Sequence, residues 1–187
     1  LHAHIGRRPA MIGVTIFLLG AGAAGFATTN VLDDRYVSYF DHSFDFRKDT
    51  DYLNRHLGGF YNLEYSLAAD AVEAVSQPAY LQQVDAFAAW LRDQPGVTHV
   101  AALSDIMRTV NQGMQGGGEA AYRLPDDAGL AAQLLWLYEM SLPIGLDLRE
   151  QINVDKSESR MTVSLAELST QQVLALAEQA KAWASEH

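Results

Sequence analysis

The chain has 187 residues, contains no cysteine and carries a formal charge of −10. Without cysteine it can form no disulfide framework, thiolate metal site or thiol nucleophile. All 23 acidic residues lie after position 32, together with 11 of the 13 basic residues, so this part carries a charge of −12. Such a surface repels nucleic acid and anionic lipid headgroups, and its length suffices for one domain with a core.

The first predicted element is an apolar segment. Residues 9–32 carry no charge, follow Arg7-Arg8 and precede Asp33-Asp34. About 20 apolar residues in a helix match the ~30 Å hydrocarbon layer, so the segment is predicted to be a transmembrane helix. The positive-inside bias then leaves the start of the chain in the cytoplasm and puts everything after about residue 33 on the outer side.

Two other interpretations of this segment remain open. A cleaved signal peptide shares the basic start and apolar middle, and Ala21-Gly22-Ala23 or Ala23-Ala24-Gly25 would fit its cleavage site. A buried core helix would need protein on all sides, because the segment has no polar face. We favour one helix of a larger bundle, since small residues let a neighbouring helix approach closely; they are Gly13, Gly20, Gly22 and Gly25.

The next elements are a connector over residues 33–59 and a first strand. Aromatic residues of the connector suggest an interfacial belt, and they lead into a short helix near Asp45–Leu57 that Gly58-Gly59 ends. From Tyr61 to Leu67 apolar residues alternate with polar ones, which predicts a strand with one buried face.

The remaining elements alternate between helix and strand signals. Ser76 and Pro78 open a helix that Pro95-Gly96 ends, and a second strand follows over 97–103. Two helices within about 105–145 form a predicted insertion. A hairpin then pairs Ile152 and Val154 with 161–165, and a capping box of Ser169 and Gln172 opens the last helix.

This order predicts the fold class α+β, with one transmembrane helix followed by a ferredoxin-like (split βαβ), porter-type periplasmic domain that has a helical insertion. The final strand of that domain would lie beyond His187. The predicted domains are 1–32 for the cytoplasmic start and transmembrane helix, 33–59 for the juxtamembrane connector, and 60–187 for the periplasmic domain.

The search for chemistry yields no catalytic, cofactor-binding or metal-binding residue, so no enzyme activity is predicted. His42, His56 and His99 have no partner at metal-ligand spacing, and surface or packing roles explain them better. The glycines at 116–118 are not followed by the Lys-Ser or Lys-Thr of a phosphate-binding loop. No serine stands in a nucleophile elbow.

Two clusters could contact other molecules. Tyr36, Tyr39, Phe40 and Phe44 offer an apolar surface through which a hydrophobic substrate could enter, although anchoring of the membrane segment explains them better. A second set on a predicted helix could dock another domain, with core packing as the alternative; it comprises Trp136, Tyr138 and Met140.

Several short motifs together resemble one family. The run Asp33–Asp41 reads Asp-Asp-Arg-Tyr-Val-Ser-Tyr-Phe-Asp and opens the series. The others, in order, are Phe46-Arg47, Asp51-Tyr52-Leu53, Trp90-Leu91 with Pro95-Gly96-Val97, Tyr122–Pro125, Tyr138–Pro143 and Ser159–Val163. Their order resembles a repeat of the resistance-nodulation-division (RND) superfamily, specifically its MMPL and sterol-sensing-like branch of exporters.

The resemblance implies an exporter driven by the proton-motive force and built from two similar halves in a bacterial inner membrane. This chain would belong to one half, and the 138–143 motif suggests the second. It would form a wall of the periplasmic pathway for hydrophobic or lipid-like molecules. Its partners would be the bilayer, the remaining transmembrane helices, the other periplasmic domain and, as a further option, a second copy in a homo-oligomer. Coupling carboxylates of the family lie in helices outside this sequence, so none is assigned here.

Two other functions stay open. A single-pass, membrane-anchored periplasmic module could bind a protein or ligand without transport. A secreted hydrolase is the weakest alternative, because no nucleophile pattern is present.

Overall fold

A computed structural model describes residues 9–27, 36–56, 61–143 and 147–187. The chain divides into two compact units, Leu1–Asp34 and Arg35–His187. The predicted cytoplasmic start before Pro9, the acidic pair Asp33-Asp34 and the helix-ending pair Gly58-Gly59 all lie outside the described residues.

The first unit contains one described helix, α1 (Pro9–Ala27). Among the described residues, no helix is both long enough and apolar enough to cross a membrane. The prediction of a transmembrane helix rests on a charge-free run that extends to Leu32, whereas α1 has 19 residues. Seven of the last eight residues of α1 are glycine or alanine. Such small residues contribute little apolar surface per turn. The predicted fold class, a transmembrane helix followed by a ferredoxin-like, porter-type domain, is therefore wrong.

The second unit is an α+β arrangement of five described α-helices and three strands. In chain order its elements are α2 (Asp45–His56), β1 (Tyr61–Ala68), α3 (Pro78–Arg92), β2 (Val97–Ala101), α4 (Leu103–Met114), α5 (Ala128–Ser141), β3 (Glu158–Leu165) and α6 (Thr170–Glu186). Short 3-10 helices include Tyr36–Tyr39 before α2 and Ala74–Ser76 before α3.

The sheet has the strand order β1-β3-β2, and β3 runs antiparallel to both neighbours. Tyr61 pairs with Leu165 and Ala68 with Glu158, so the whole of β1 lies along β3. Alternate residues of β3 are buried, because Met161, Val163 and Leu165 face the helices while their neighbours face outward. Within the described residues, the other edge of β1 has no strand beside it.

One core joins this buried sheet face to the helices. Apolar residues recur at three- and four-residue steps on α3 and are almost completely buried; they are Leu81, Val84, Ala88 and Leu91. The two helices predicted as an insertion contribute to the same core rather than to a separate layer; their buried residues include Leu103, Met107, Ala131, Leu134 and Leu135.

Several local predictions can be compared with the structure. The short connector helix and the capping box of Ser169 and Gln172 are confirmed. The predicted hairpin is wrong, because Ile152 forms only an isolated bridge with Ser159 and the side chain of Val154 is 76% exposed. Ser76 does not cap α3 either, since its hydroxyl donates to the carbonyl of Glu73.

Gly96 occupies a position that demands glycine, at the turn into β2. Its φ is +85°, and an added Cβ would lie 2.6 Å from Leu168 Cδ2. We expect Gly96→Ala to lower the free energy of unfolding by about 1–2 kcal/mol, because left-handed backbone is unfavourable for alanine. Urea unfolding measures this effect. Gly113→Ala is the control: Gly113 lies in α4 with open space around it and should gain up to about 1 kcal/mol from helix propensity. Equal losses at both positions would contradict the argument.

Candidate functional site

Two concave surfaces of the second unit adjoin at the end of β1. The first, which we name the aromatic groove, has a volume of about 780 Å³ and lies between α3, α6 and the last residues of β1. Its apolar lining comes from Leu67 of β1, Val84 and Phe87 of α3, and Trp183 of α6. Its dimensions are those of small-molecule sites in proteins.

Phe87 and Trp183, which line the aromatic groove, belong to a larger array of aromatic rings. The Trp183 ring lies 5.1 Å from the Phe87 centroid, 6.0 Å from Trp90 and 4.4 Å from His187, and all three pairs are stacked. Tyr65 meets Phe87 edge to face at 5.4 Å. Offset and edge-on pairs of this kind stabilise each other through their ring quadrupoles, so the neighbouring rings support Phe87 and Trp183 in the groove wall.

The second surface, which we name the polar cleft, has a volume of about 950 Å³. Asp70, Glu73, Gln77, Gln83 and Lys156 supply its polar groups. Its remaining lining is mostly alanine, from residues 68–79 and from the start of α5. Because alanine leaves space that a larger side chain would fill, the cleft remains open to solvent.

Two residues with left-handed backbone flank the polar cleft. Glu73 has φ 61° and Lys156 has φ 51°, which are rare values for residues other than glycine. Their loops are hydrogen-bonded to each other, because Glu73 N–H donates to Asp155 O at 2.9 Å and Val75 N–H donates to Lys156 O at 3.2 Å. These bonds hold the two walls of the cleft in one conformation.

Tyr80 separates the groove from the cleft and lines both. Its hydroxyl donates to Leu67 O at 2.8 Å and shares a hydrogen bond of 2.6 Å with Ser159 Oγ. Since the phenol proton goes to the carbonyl, the serine hydroxyl donates to the tyrosine oxygen. Burial raises the pKa of the Tyr80 hydroxyl, although the bond to Ser159 opposes that shift. The junction is therefore neutral and rigid.

The structure places the predicted substrate-entrance residues around a separate patch. Phe40 lies 6.2 Å from Phe44 and 5.0 Å from Phe46 between ring centroids, and all three are exposed. Tyr39 is also exposed, whereas the side chain of Tyr36 lies outside the described residues. Phe46, which the sequence analysis names only in the Phe46-Arg47 motif, belongs to the same patch. A role in substrate access stays a prediction.

The predicted docking residues do not share one environment. Trp136 and Met140 on α5 are 60% and 64% exposed, so core packing does not account for them. Tyr138 is half-buried and packs against the core. Glu139 is the only charged residue of α5. A helix with so little polar surface ordinarily lies buried, which makes its exposed face a candidate contact surface.

The aromatic groove itself was missed by sequence reasoning. Phe87 and Trp183 lie on apolar faces of amphipathic helices, and nothing in that pattern distinguishes a core face from a groove wall. The available signal was local: Phe87 and Trp90 are three residues apart, and Trp183 and His187 are four apart, so each pair shares a helix face.

The shape and lining of these two surfaces are those of a binding site. Across the described ranges, no group of three His, Cys, Asp or Glu residues could hold a metal ion. An apolar groove beside a polar cleft can accommodate a molecule that has one apolar and one polar end.

Comparisons with protein-family models, with curated proteins and with solved structures found no match.

Proposed function

We propose that the Arg35–His187 unit is part of a proton-motive-force-driven exporter of the RND superfamily. In this role it forms part of the wall along which hydrophobic or lipid-like molecules pass. The family assignment rests on the ordered motifs from Asp33 to Val163 described above. The observation that carries the binding role is the aromatic groove, with Phe87 and Trp183 stacked in its wall.

The charge of the unit is consistent with an uncharged or cationic cargo. Its surface is strongly acidic, so it disfavours anionic polymers and anionic headgroups. The rings of Phe87 and Trp183 add apolar contact area and carry no charge that would have to be desolvated. A hydrophobic molecule can therefore leave an apolar environment for this groove at little electrostatic cost.

The exposed apolar face of α5 is suited to contact with another protein domain. In a two-half exporter the domain would contact the second periplasmic domain and the remaining membrane helices, on the periplasmic side of a bacterial inner membrane. Trp136 and Met140 provide apolar area for such a contact. Aromatic and methionine side chains are enriched in protein interfaces.

Blocking the groove tests the proposal. Ala86 on α3 and Ala184 on α6 are exposed and line the groove, so phenylalanine at either position would fill it without removing core contacts. Cells expressing the full-length protein would be loaded with a lipophilic fluorescent dye, and its efflux would be followed. We expect efflux to stop when a protonophore collapses the proton gradient, and to fall severalfold in Ala86→Phe and Ala184→Phe.

Matched substitutions supply the control. Ala89 and Ala182 lie on the same two helices, are exposed and do not line the groove, so Ala89→Phe and Ala182→Phe should leave efflux unchanged. Efflux that ignores the protonophore would exclude proton-driven export. Dye binding that is sensitive to the blocking variants but occurs without efflux would favour the alternative of a binding module.

A further inference from the structure

Two carboxylates in the polar cleft have no counter-ion. Asp70 and Glu73 are both exposed, and within the described part of the chain neither side chain forms an ion pair or hydrogen bond. The one lysine of the cleft is already matched, since Lys156 Nζ lies 3.9 Å from Glu139 Oε2 on α5. The cleft therefore presents uncompensated negative charge.

The carboxylates stand next to an apolar site, because the cleft and the groove share part of their lining. Ala68, Ala79, Tyr80 and Gln83 border both. The shared residues are small or neutral, so nothing charged separates the aromatic wall from the acidic loop. A single elongated molecule can contact both surfaces.

We infer that the groove and the cleft form one binding site for a single-chain amphiphile with a cationic headgroup. The apolar tail lies against Phe87 and Trp183, and the headgroup lies beside Asp70 and Glu73. This inference rests on the proposed function and narrows its hydrophobic or lipid-like cargo by the charge of the headgroup.

The two ends of the site have different tasks. Exposed carboxylates are screened by salt and hold a small cation weakly, so they alone would not retain a ligand. The groove supplies affinity by removing the tail from water. Once the tail is bound, the headgroup is held beside the carboxylates, and the sign of its charge decides whether it is attracted or repelled. An anionic headgroup in the same place is repelled.

Titration calorimetry on the full chain tests this inference with surfactants that share one tail. Dodecyltrimethylammonium and dodecyl sulfate are compared below their micelle concentrations, with tetramethylammonium as the headgroup without a tail. We expect the cationic surfactant to bind about tenfold more tightly than the anionic one, which corresponds to a modest Coulomb difference at a solvated site. Tetramethylammonium should give no measurable binding.

Substitutions test whether Asp70 and Glu73 cause the preference for the cationic surfactant. Asp70→Asn combined with Glu73→Asn should abolish the preference for the cation, and asparagine suits the left-handed backbone at Glu73. Glu119→Gln combined with Glu178→Gln removes the same charge from exposed positions outside the cleft and should preserve the preference. Ala86→Phe should weaken both surfactants, because it obstructs the tail.

The outcomes separate this inference from the proposed function. Equal affinity for the two surfactants, or an equal loss of preference in both charge-removal variants, overturns the cationic headgroup while the groove remains a hydrophobic site. Failure of both surfactants to bind, or binding that Ala86→Phe does not affect, overturns the groove as a cargo site as well.

Discussion

Arg108→Met is expected to lower the free energy of unfolding by about 2–3 kcal/mol. Arg108 of α4 forms a close ion pair with Asp85 Oδ2 of α3, and its guanidinium lies 5.9 Å from the centre of the Tyr122 ring. Only 24% and 21% of the two side chains are exposed, and the second oxygen of Asp85 is buried with no hydrogen-bond partner in the described part of the chain. Removing the arginine would leave a largely buried carboxylate uncompensated.

Urea unfolding at neutral pH measures this loss, and two variants control it. Asp85→Leu combined with Arg108→Met should recover much of the stability, because an apolar pair avoids the unpaired charge. Arg123→Met removes an exposed pair, in which Arg123 and Asp126 are 60% and 78% exposed, and should change stability by less than about 1 kcal/mol. A loss at Arg108 no larger than that at Arg123 would contradict the argument.

Tyr80→Phe is expected to cost about 1–3 kcal/mol, whereas Tyr65→Phe should be close to neutral. Both hydroxyls are largely removed from water, but only Tyr80 has partners, at Leu67 O and Ser159 Oγ. The hydroxyl of Tyr65 is buried and has no hydrogen-bond partner among the described residues. Its removal therefore relieves a desolvation cost instead of breaking a bond. Thermal and urea unfolding of the two variants provide the comparison, and equal losses would show that the hydrogen bonds of Tyr80 contribute nothing.

The same pair gives a prediction for alkaline pH. Burial raises the pKa of the Tyr65 hydroxyl and of the Tyr80 hydroxyl above the value of about 10 that tyrosine has in an unfolded chain. Above pH 10 the unfolded chain releases protons that the folded chain retains, so stability falls as the pH rises further. Tyr65→Phe should make that decline shallower. An unchanged slope would mean that this tyrosine does not contribute to it.

Elements with a clear period were predictable from the sequence, and elements that depend on competing local bonds were not. The alternation in Tyr61–Leu67 defines β1 because one face of the sheet is buried. The predicted hairpin strand before β3 does not form, because the Asn153 side chain accepts hydrogen bonds from the Ser157 and Glu158 N–H groups, at 2.8 and 3.1 Å. Asparagine thereby bonds backbone donors locally, which strand propensity does not anticipate.

The transmembrane prediction failed for a different reason. Counting uncharged residues treats Gly20–Ala27 like the leucine-rich turn before it, although glycine and alanine expose far less apolar surface.

The candidate site could not be predicted from the sequence for a third reason. It brings Leu67 of β1 together with Trp183 of α6, and no local pattern relates residues so distant in the chain.

The pairing of β1 with β3 has a consequence for the synthesis of the protein. Tyr61 pairs with Leu165, so about 100 residues must follow the first strand before its only described neighbour exists. At ribosomal rates this interval is on the order of ten seconds. During that time Tyr61, Leu63, Tyr65 and Leu67 lack the sheet that shelters them. We therefore expect the nascent chain to bind chaperones that protect exposed apolar segments. Slowing translation between the two strands should increase its aggregation.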